Sequence, residues 1–136
     1  MRIEDIAVGA TAAISRTVTD ADIRAFAAAT GDDNPVHLDD AAAARSIFGG
    51  RVAHGMLGAG LISAVLGTKL PGPGTIYLAQ SLRFTKPVRI GDTITASVQV
   101  LEVLAPKRRV RLATRCSNQR GELVLDGEAT VMVPDE

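Results

Sequence analysis

The spacing of apolar side chains changes partway along the chain and divides it into two kinds of structure. From Ile76 onward the period is two. Ile76, Leu78, Gln80, Leu82 and Phe84 alternate with Tyr77, Ala79, Ser81, Arg83 and Thr85, and Ile94, Ala96, Val98 and Val100 alternate with Thr95, Ser97 and Gln99. Val110, Leu112, Thr114 and Cys116 then oppose Arg109, Arg111 and Arg115, while Leu123, Leu125, Ala129, Val131 and Val133 oppose Asp126, Glu128 and Thr130. Successive side chains of a strand point to opposite faces, so the pattern predicts long antiparallel strands with one wet face. Turns fall at residues 86–92, 105–108 and 118–121, short enough for a meander.

Before Ile76 the helical period dominates. After a lead-in ending near Gly9, the β-prone residues 11–19 predict a first strand. A short helix follows over residues 22–30: Thr19 or Asp20 serves as N-cap, Ile23, Phe26 and Ala27 fall at i, i+3 and i+4, and Gly31 ends it. Asp39 or Asp40 caps a second short helix over residues 41–46. Residues 55–69 form the third. They carry no polar side chain beyond Ser63 until Thr68 and Lys69, which predicts a helix buried on most sides, with Lys69 at the negative end of its dipole. Gly55, Gly58, Gly60 and Gly67 each cost about 1 kcal/mol relative to Ala in a helix, and so predict close approach of strands or a ligand to the backbone. Helices first and then a run of strands make an α+β domain, a curved antiparallel sheet rolled around one apolar helix.

Length and charge narrow the function. A chain of 136 residues fits one domain, spanning 1–136. Fifteen basic and fifteen acidic residues balance, and with no Trp, one Tyr and three Phe the chain lacks both bulk attraction for nucleic acid and stacking platforms for its bases. At about 1.5 Å per residue the helix over 55–69 is too short and too rich in glycine for a membrane crossing. The single Cys116 suits a reducing compartment, and the first residues show no export signal, so the expected location is cytoplasmic.

Candidate chemistry concentrates in Thr30-Gly31-Asp32-Asp33-Asn34-Pro35-Val36-His37-Leu38-Asp39. Asp32 and His37 lie five residues apart, which on a helix would separate them by about 140° and on a flat strand would point them to opposite faces. Pro35 removes a donor and pushes Asn34 out of the α region, which predicts a turn or irregular loop able to aim both side chains at one point. An imidazole oriented by a carboxylate is the equipment of general acid–base catalysis. A plainer reading stays open: Asp32 caps the preceding helix and His37 packs as a satisfied polar residue. The other histidine, His54, directly precedes Gly55 at the start of the long helix.

The segment from Thr30 to Asp39 resembles the hydratase-2 motif of the MaoC-like (R)-specific enoyl-CoA hydratases, in particular the short members that feed polyhydroxyalkanoate synthesis. The likeness continues through Arg51-Val52-Ala53-His54-Gly55-Met56-Leu57, LPGPGTIYLAQSL at 70–82 and VRIGDTI at 88–94, and so covers nearly the whole chain in order. It implies the hot dog fold and a homodimer. It also implies a reaction, addition of water across the 2,3 double bond of a trans-2-enoyl-CoA to give the (R)-3-hydroxyacyl-CoA, with no cofactor and no metal. Asp32 and His37 match the catalytic pair and Gly55 the backbone donor to the thioester oxygen, though Gly55 also reads as a simple helix starter. On the substrate side the resemblance points to Asn34, which would hold the loop through side-chain to backbone bonds, to His54, to Ser63 near the site, and to Leu66 lining the acyl pocket. Phe48 is either pocket wall or core. Arg83, Lys86, Arg89, Lys107, Arg108 and Arg109 are candidate partners of the CoA phosphates. A metal set of Asp32, His37, Asp39 and His54 lacks a known ligand spacing. The competing readings are a hot dog thioesterase or acyl-carrier-protein dehydratase, against which the absence of Asp or Glu in residues 55–69 counts, and a non-catalytic assembly module.

Overall fold

The computed structural model describes residues 1–134. Along the chain it runs β1 (Thr11–Thr17), α1 (Asp20–Thr30), α2 (Pro35–Leu38), α3 (Asp40–Ala44), α4 (Gly55–Thr68), β2 (Ile76–Gln80), β3 (Arg83–Phe84), β4 (Thr93–Leu104), β5 (Arg109–Ser117) and β6 (Leu123–Met132). The strands form one antiparallel sheet in the order β1-β4-β5-β6-β2, and β3 also pairs with β6. Helix α4 packs on its apolar face. The expected α+β, hot dog arrangement of sheet and helix is therefore present.

The alternation over β4 and β5 translates directly into burial. Ile94, Ala96, Val98 and Val100 face α4, as do Val110, Leu112, Thr114 and Cys116, and all are buried. Register keeps these side chains together: Ala96 pairs with Cys116, Val98 with Thr114 and Val100 with Leu112. Leu112 in turn pairs with Ala129, and Val110 with Val131. Such directly opposed same-face pairs are the unit of sheet stabilisation. From α4 come Ile62, Val65 and Leu66, completing the core.

The residues from Ile76 to Phe84 differ from expectation. They do not form one alternating strand: β2 stops at Gln80, and its residues are exposed on both faces. The cause lies on β6, where a Cβ at Gly127 would stand 1.9 Å from the Ser81 carbonyl oxygen. The backbone of 81 crosses that spot, so the strand must break there, and a bulge between Tyr77 and Ala79 has already shifted its register. Neither β2 nor β3 pairs with β4. The meander is confined to β4–β5–β6, and β2 lies on the far side of β6 as an edge strand.

Helix α4 also departs from the expectation of burial on most sides. Gly58 approaches Leu125, with 3.4 Å between a notional Cβ and Cδ2, and Gly55 lies under the Phe84 ring. Gly60 and Gly67, by contrast, meet nothing within 4 Å. Together with exposed Met56 and Ser63 they form a strip of α4 open to solvent.

Candidate active site

The site begins where α1 ends. Thr19 and Asp22 cap the start of α1 reciprocally, and Gly31 ends it in the left-handed region at φ 81° with its N–H on the Ala27 carbonyl. The Thr30 hydroxyl donates to the Phe26 carbonyl and accepts the Asp32 N–H at 3.1 Å, so the last helical turn hands the chain directly to Asp32. Pro35 then does something other than keep the segment irregular. It occupies the first position of α2, where its missing N–H is no loss and its fixed φ suits a helix. The Asn34 side chain accepts the Val36 N–H at 3.1 Å and caps this single turn. Asn34 is thus committed to the backbone, the structural part of its expected role. His37 projects from α2, while Asp32 lies outside it, so the helical 140° separation does not apply.

Bonds to Val52 and Arg51 fix His37. Its ring Nδ1–H donates to the Val52 carbonyl at 2.7 Å, which leaves the lone pair on Nε2. Its own carbonyl accepts from Arg51 Nε at 2.7 Å. The same guanidinium reaches Asp20 Oδ1 at 2.5 Å. Hydrogen bonds from Arg51 and then Arg24 hold the Asp20 carboxyl below its ordinary range. Arg51 therefore ties the turn that carries His37 to the start of α1, a role that no local pattern predicts although Arg51 stands inside the second resembling segment.

His54 lies between these elements and α4. It is 3% exposed, and its Nε2–H donates to the Asp32 backbone carbonyl at 2.9 Å. Its ring faces that of His37 with centroids 3.8 Å apart and planes inclined by 30°, and packs on Phe26 at 4.5 Å. Its Nδ1 is buried without a partner among the described residues. One donor atom from each of Asp32, His37 and His54 falls within 4.8 Å of the others. As metal ligands the two imidazoles are poorly aimed: lone pairs lie in the ring planes, and planes only 30° apart and facing across 3.8 Å meet well beyond the ~2.0–2.1 Å of a zinc–nitrogen bond. Asp39, the other member of the conceivable metal set, uses its carboxylate to cap α3 at the Ala42 N–H. The arrangement suits proton transfer, with the free His37 nitrogen beside a carboxylate.

Beside this cluster opens a cavity of about 530 Å³. Its wall holds His37, His54 and Gly55, and is otherwise largely apolar, including Val18, Leu57 and Leu61. Phe48 is wall, which resolves the choice between pocket and core. Asp32 is exposed and stands next to the wall rather than in it. Gly55 is the first residue of α4, and no side chain caps the helix from His54. The Leu57 N–H donates to the His54 carbonyl at 3.0 Å, and the Gly55 and Met56 N–H groups precede that first bond, at the positive end of the dipole. The Phe84 ring, 52% exposed, leans over Gly55 so that a Cβ there would be 2.7 Å from Cε1. Phe84 is a second missed residue; in the sequence it is one more member of an alternating run.

Two expected residues do not join this group. Ser63 is exposed on the open strip of α4, and Leu66 is core, 1% exposed; neither lines the cavity. They lie two and three turns beyond Gly55, past the point where α4 leaves the cavity for the sheet. Of the candidate cations only Lys86 reaches the wall, where it is ion-paired with Glu122. Arg89 donates to the Phe48 carbonyl at 2.6 Å, and Lys107, Arg108 and Arg109 sit at the β4–β5 turn.

Comparison with known proteins agrees with this geometry. Residues 6–120 match the model of the MaoC like domain. The chain is 53% identical over 131 residues to a 3-hydroxybutyryl-CoA dehydratase of Methylorubrum extorquens, covering 96% of this chain and 83% of that protein. It is 51% identical to an (R)-specific enoyl-CoA hydratase of Rhodospirillum rubrum, covering 96% and 90%. Among solved structures, the unliganded R-hydratase PhaJ1 of Pseudomonas aeruginosa superposes with a TM-score of 0.94 at 52% identity, covering 99% of this chain and 86% of that one. Matched along most of its length in sequence and in fold, the chain belongs to the MaoC-like domain family.

Proposed function

We propose that the cluster of Asp32, His37 and Gly55 carries out the hydration of trans-2-enoyl-CoA to (R)-3-hydroxyacyl-CoA, and the reverse dehydration. The protein is an (R)-specific enoyl-CoA hydratase, a hydro-lyase. The observation that carries the mechanism is the meeting of a His37 ring nitrogen and the Asp32 carboxylate within 4.8 Å, at the edge of an apolar cavity that begins at a helix N-terminus without a side-chain cap. His37 Nε2 and the Asp32 carboxylate hold one water by its two O–H groups. As its oxygen bonds to C3, one of the pair takes a proton and the double-bond electrons move toward the thioester, generating an enolate. The Gly55 N–H donates to the thioester carbonyl oxygen, where negative charge develops. The acid formed in the pair returns a proton to C2, so one water is added and the protein is unchanged.

The apolar wall takes the acyl chain, and Lys86 is the cation best placed for the CoA moiety. Substrate contact by Asn34, Ser63 and Leu66 has no support in the cavity of one chain. We also propose a homodimer of single-domain chains. Edge strand β2 exposes Ile76, Tyr77 and Leu78, and unpaired apolar edges of this kind are normally covered. A link to polyhydroxyalkanoate synthesis and a cytoplasmic site belong to the same proposal. Among the described residues no helix is long and apolar enough to cross a membrane. The test is crotonyl-CoA: a hydratase removes the enoyl absorbance without releasing thiol, a thioesterase releases thiol, and an assembly module does neither.

A further inference from the structure

We infer that His54 is a positioning residue that joins all three catalytic groups through one buried ring, an inference that rests on the roles proposed above for Asp32, His37 and Gly55. Its Nε2–H holds the main chain at Asp32 from below, at 2.9 Å. Its ring face, 3.8 Å from that of His37, sets where the imidazole stands. Its own backbone leads directly into Gly55, the first residue of α4. Phe26 of α1 packs on the same ring at 4.5 Å, so the helix that delivers the Asp32 loop is referenced to it as well.

The remaining nitrogen argues that stability alone does not account for an imidazole here. His54 Nδ1 is buried and unpartnered. A buried acceptor without a donor destabilises the folded state, and an apolar side chain of similar shape would avoid that penalty. What an apolar side chain lacks is the donor to the Asp32 carbonyl. His54 also gives the substrate no hydrogen bond, because its one N–H is engaged by that carbonyl. Its contribution to the reaction is therefore geometric and passes through its neighbours.

Two substitutions separate donor from ring. His54→Phe keeps a flat ring and removes both nitrogens; His54→Gln keeps an N–H at comparable reach and removes the ring. Displacing reacting groups by about 1 Å can cost on the order of 100-fold in rate. For His54→Phe we expect kcat for crotonyl-CoA hydration to fall roughly 10- to 100-fold, with KM little changed and the melting temperature unchanged or higher. For His54→Gln a substantial part of kcat returns. Should Phe prove too large to fold, His54→Leu replaces it in the same comparison. Amide resonances of residues 32–34 should move in His54→Phe and move back toward wild type in His54→Gln, a readout independent of turnover. Wild-type kcat and unmoved resonances in His54→Phe would overturn the inference. So would a rise in KM alone, which marks a substrate contact, or a parallel loss of kcat and stability, which marks a packing residue. A wild-type protein that hydrates nothing would instead sink the functional reading, and the resonances would still decide whether His54 positions the loop.

Discussion

The two halves of α4 are built from the same kinds of residue and live in opposite surroundings. Gly55, Met56, Leu57, Gly58 and Leu61 line the cavity, whereas Ile62, Val65 and Leu66 are buried against the sheet. Hydropathy is nearly constant across the helix, so composition does not mark the boundary. What marks it is what lies opposite: the cavity and Phe84 of β3 at the start of the helix, the sheet from Gly58 onward, where Leu125 and Cys116 are first met. An apolar helix can thus supply a substrate wall and a core at once. With the proposed chemistry at one end and the core at the other, substitutions in the two halves should have separable effects on turnover and stability.

The largest effect is expected where the first half meets the catalytic turn. Asp32→Asn and His37→Gln should each lower hydration of crotonyl-CoA by about 10²- to 10⁴-fold, the usual contribution of a positioned acid or base. Unfolding free energy should change little, because Asp32 is exposed and buries nothing in the core. Enoyl absorbance and a denaturant titration read the two quantities separately. Near-normal turnover in either variant would remove the mechanism.

The second half should behave in reverse. Leu66→Ala empties a core position that is 1% exposed and should destabilise the protein by about 2–5 kcal/mol. Protein that remains folded should keep its kcat, since Leu66 does not line the cavity. A strong dependence of kcat or chain-length preference on Leu66 would break the division and restore the acyl-pocket role that family likeness suggested for it.

Gly55 sharpens the boundary itself. In Gly55→Val the new Cβ would meet Phe84 at 2.7 Å, but that ring is 52% exposed and can swing outward. If the thioester oxygen must reach the Gly55 N–H, the valine obstructs it directly, and kcat should fall roughly 10- to 100-fold. Removing the ring as well, in Gly55→Val with Phe84→Ala, should leave most of that loss in place. Full recovery in the double variant would reduce Gly55 to a glycine required by packing under Phe84.

The uneven legibility of this molecule follows from how local each cause is. The α1 cap at Thr19, its stop at Gly31, and the alternation of β4, β5 and β6 depend on neighbours within a few residues, and all could be read from the sequence. The candidates Asp32, His37 and Gly55 come from a motif that keeps residues at fixed spacing, and the fold brings them to one end of the cavity. The break at Ser81 could not be read from the sequence, since it is dictated by Gly127 across the sheet. Pro35 in the sequence predicts a break, although the same fixed φ starts a helix when Asn34 stands ready to cap it. The roles of His54 and Arg51 rest on contacts to Asp32, His37 and Asp20 at separations of 14 to 31 residues, which no local pattern encodes.

The smallest effect concerns the rim of the cavity. Lys86, on the wall, and then Arg120 and Asn118 hold the Glu122 carboxyl down at about 2 from an ordinary 4.5. A carboxylate whose pKa is lower folded than unfolded contributes stability that is complete above the unfolded value and is lost as pH falls toward the folded one. The contribution should therefore persist above about pH 4.5 and fade between there and about pH 2. Glu122 is 32% exposed and its partner Lys86 51%, so salt screens the pair and the effect is modest. Glu122→Gln should flatten the acid limb of the stability curve in low salt, leave stability near neutral pH almost unchanged, and become indistinguishable from wild type at high salt. An acid limb equally steep in the variant would assign the loss to other depressed carboxyls, of which Asp20 and Asp22 on α1 are the first candidates. Acid weakening would then start at the helix that supports the catalytic turn rather than at the cavity rim.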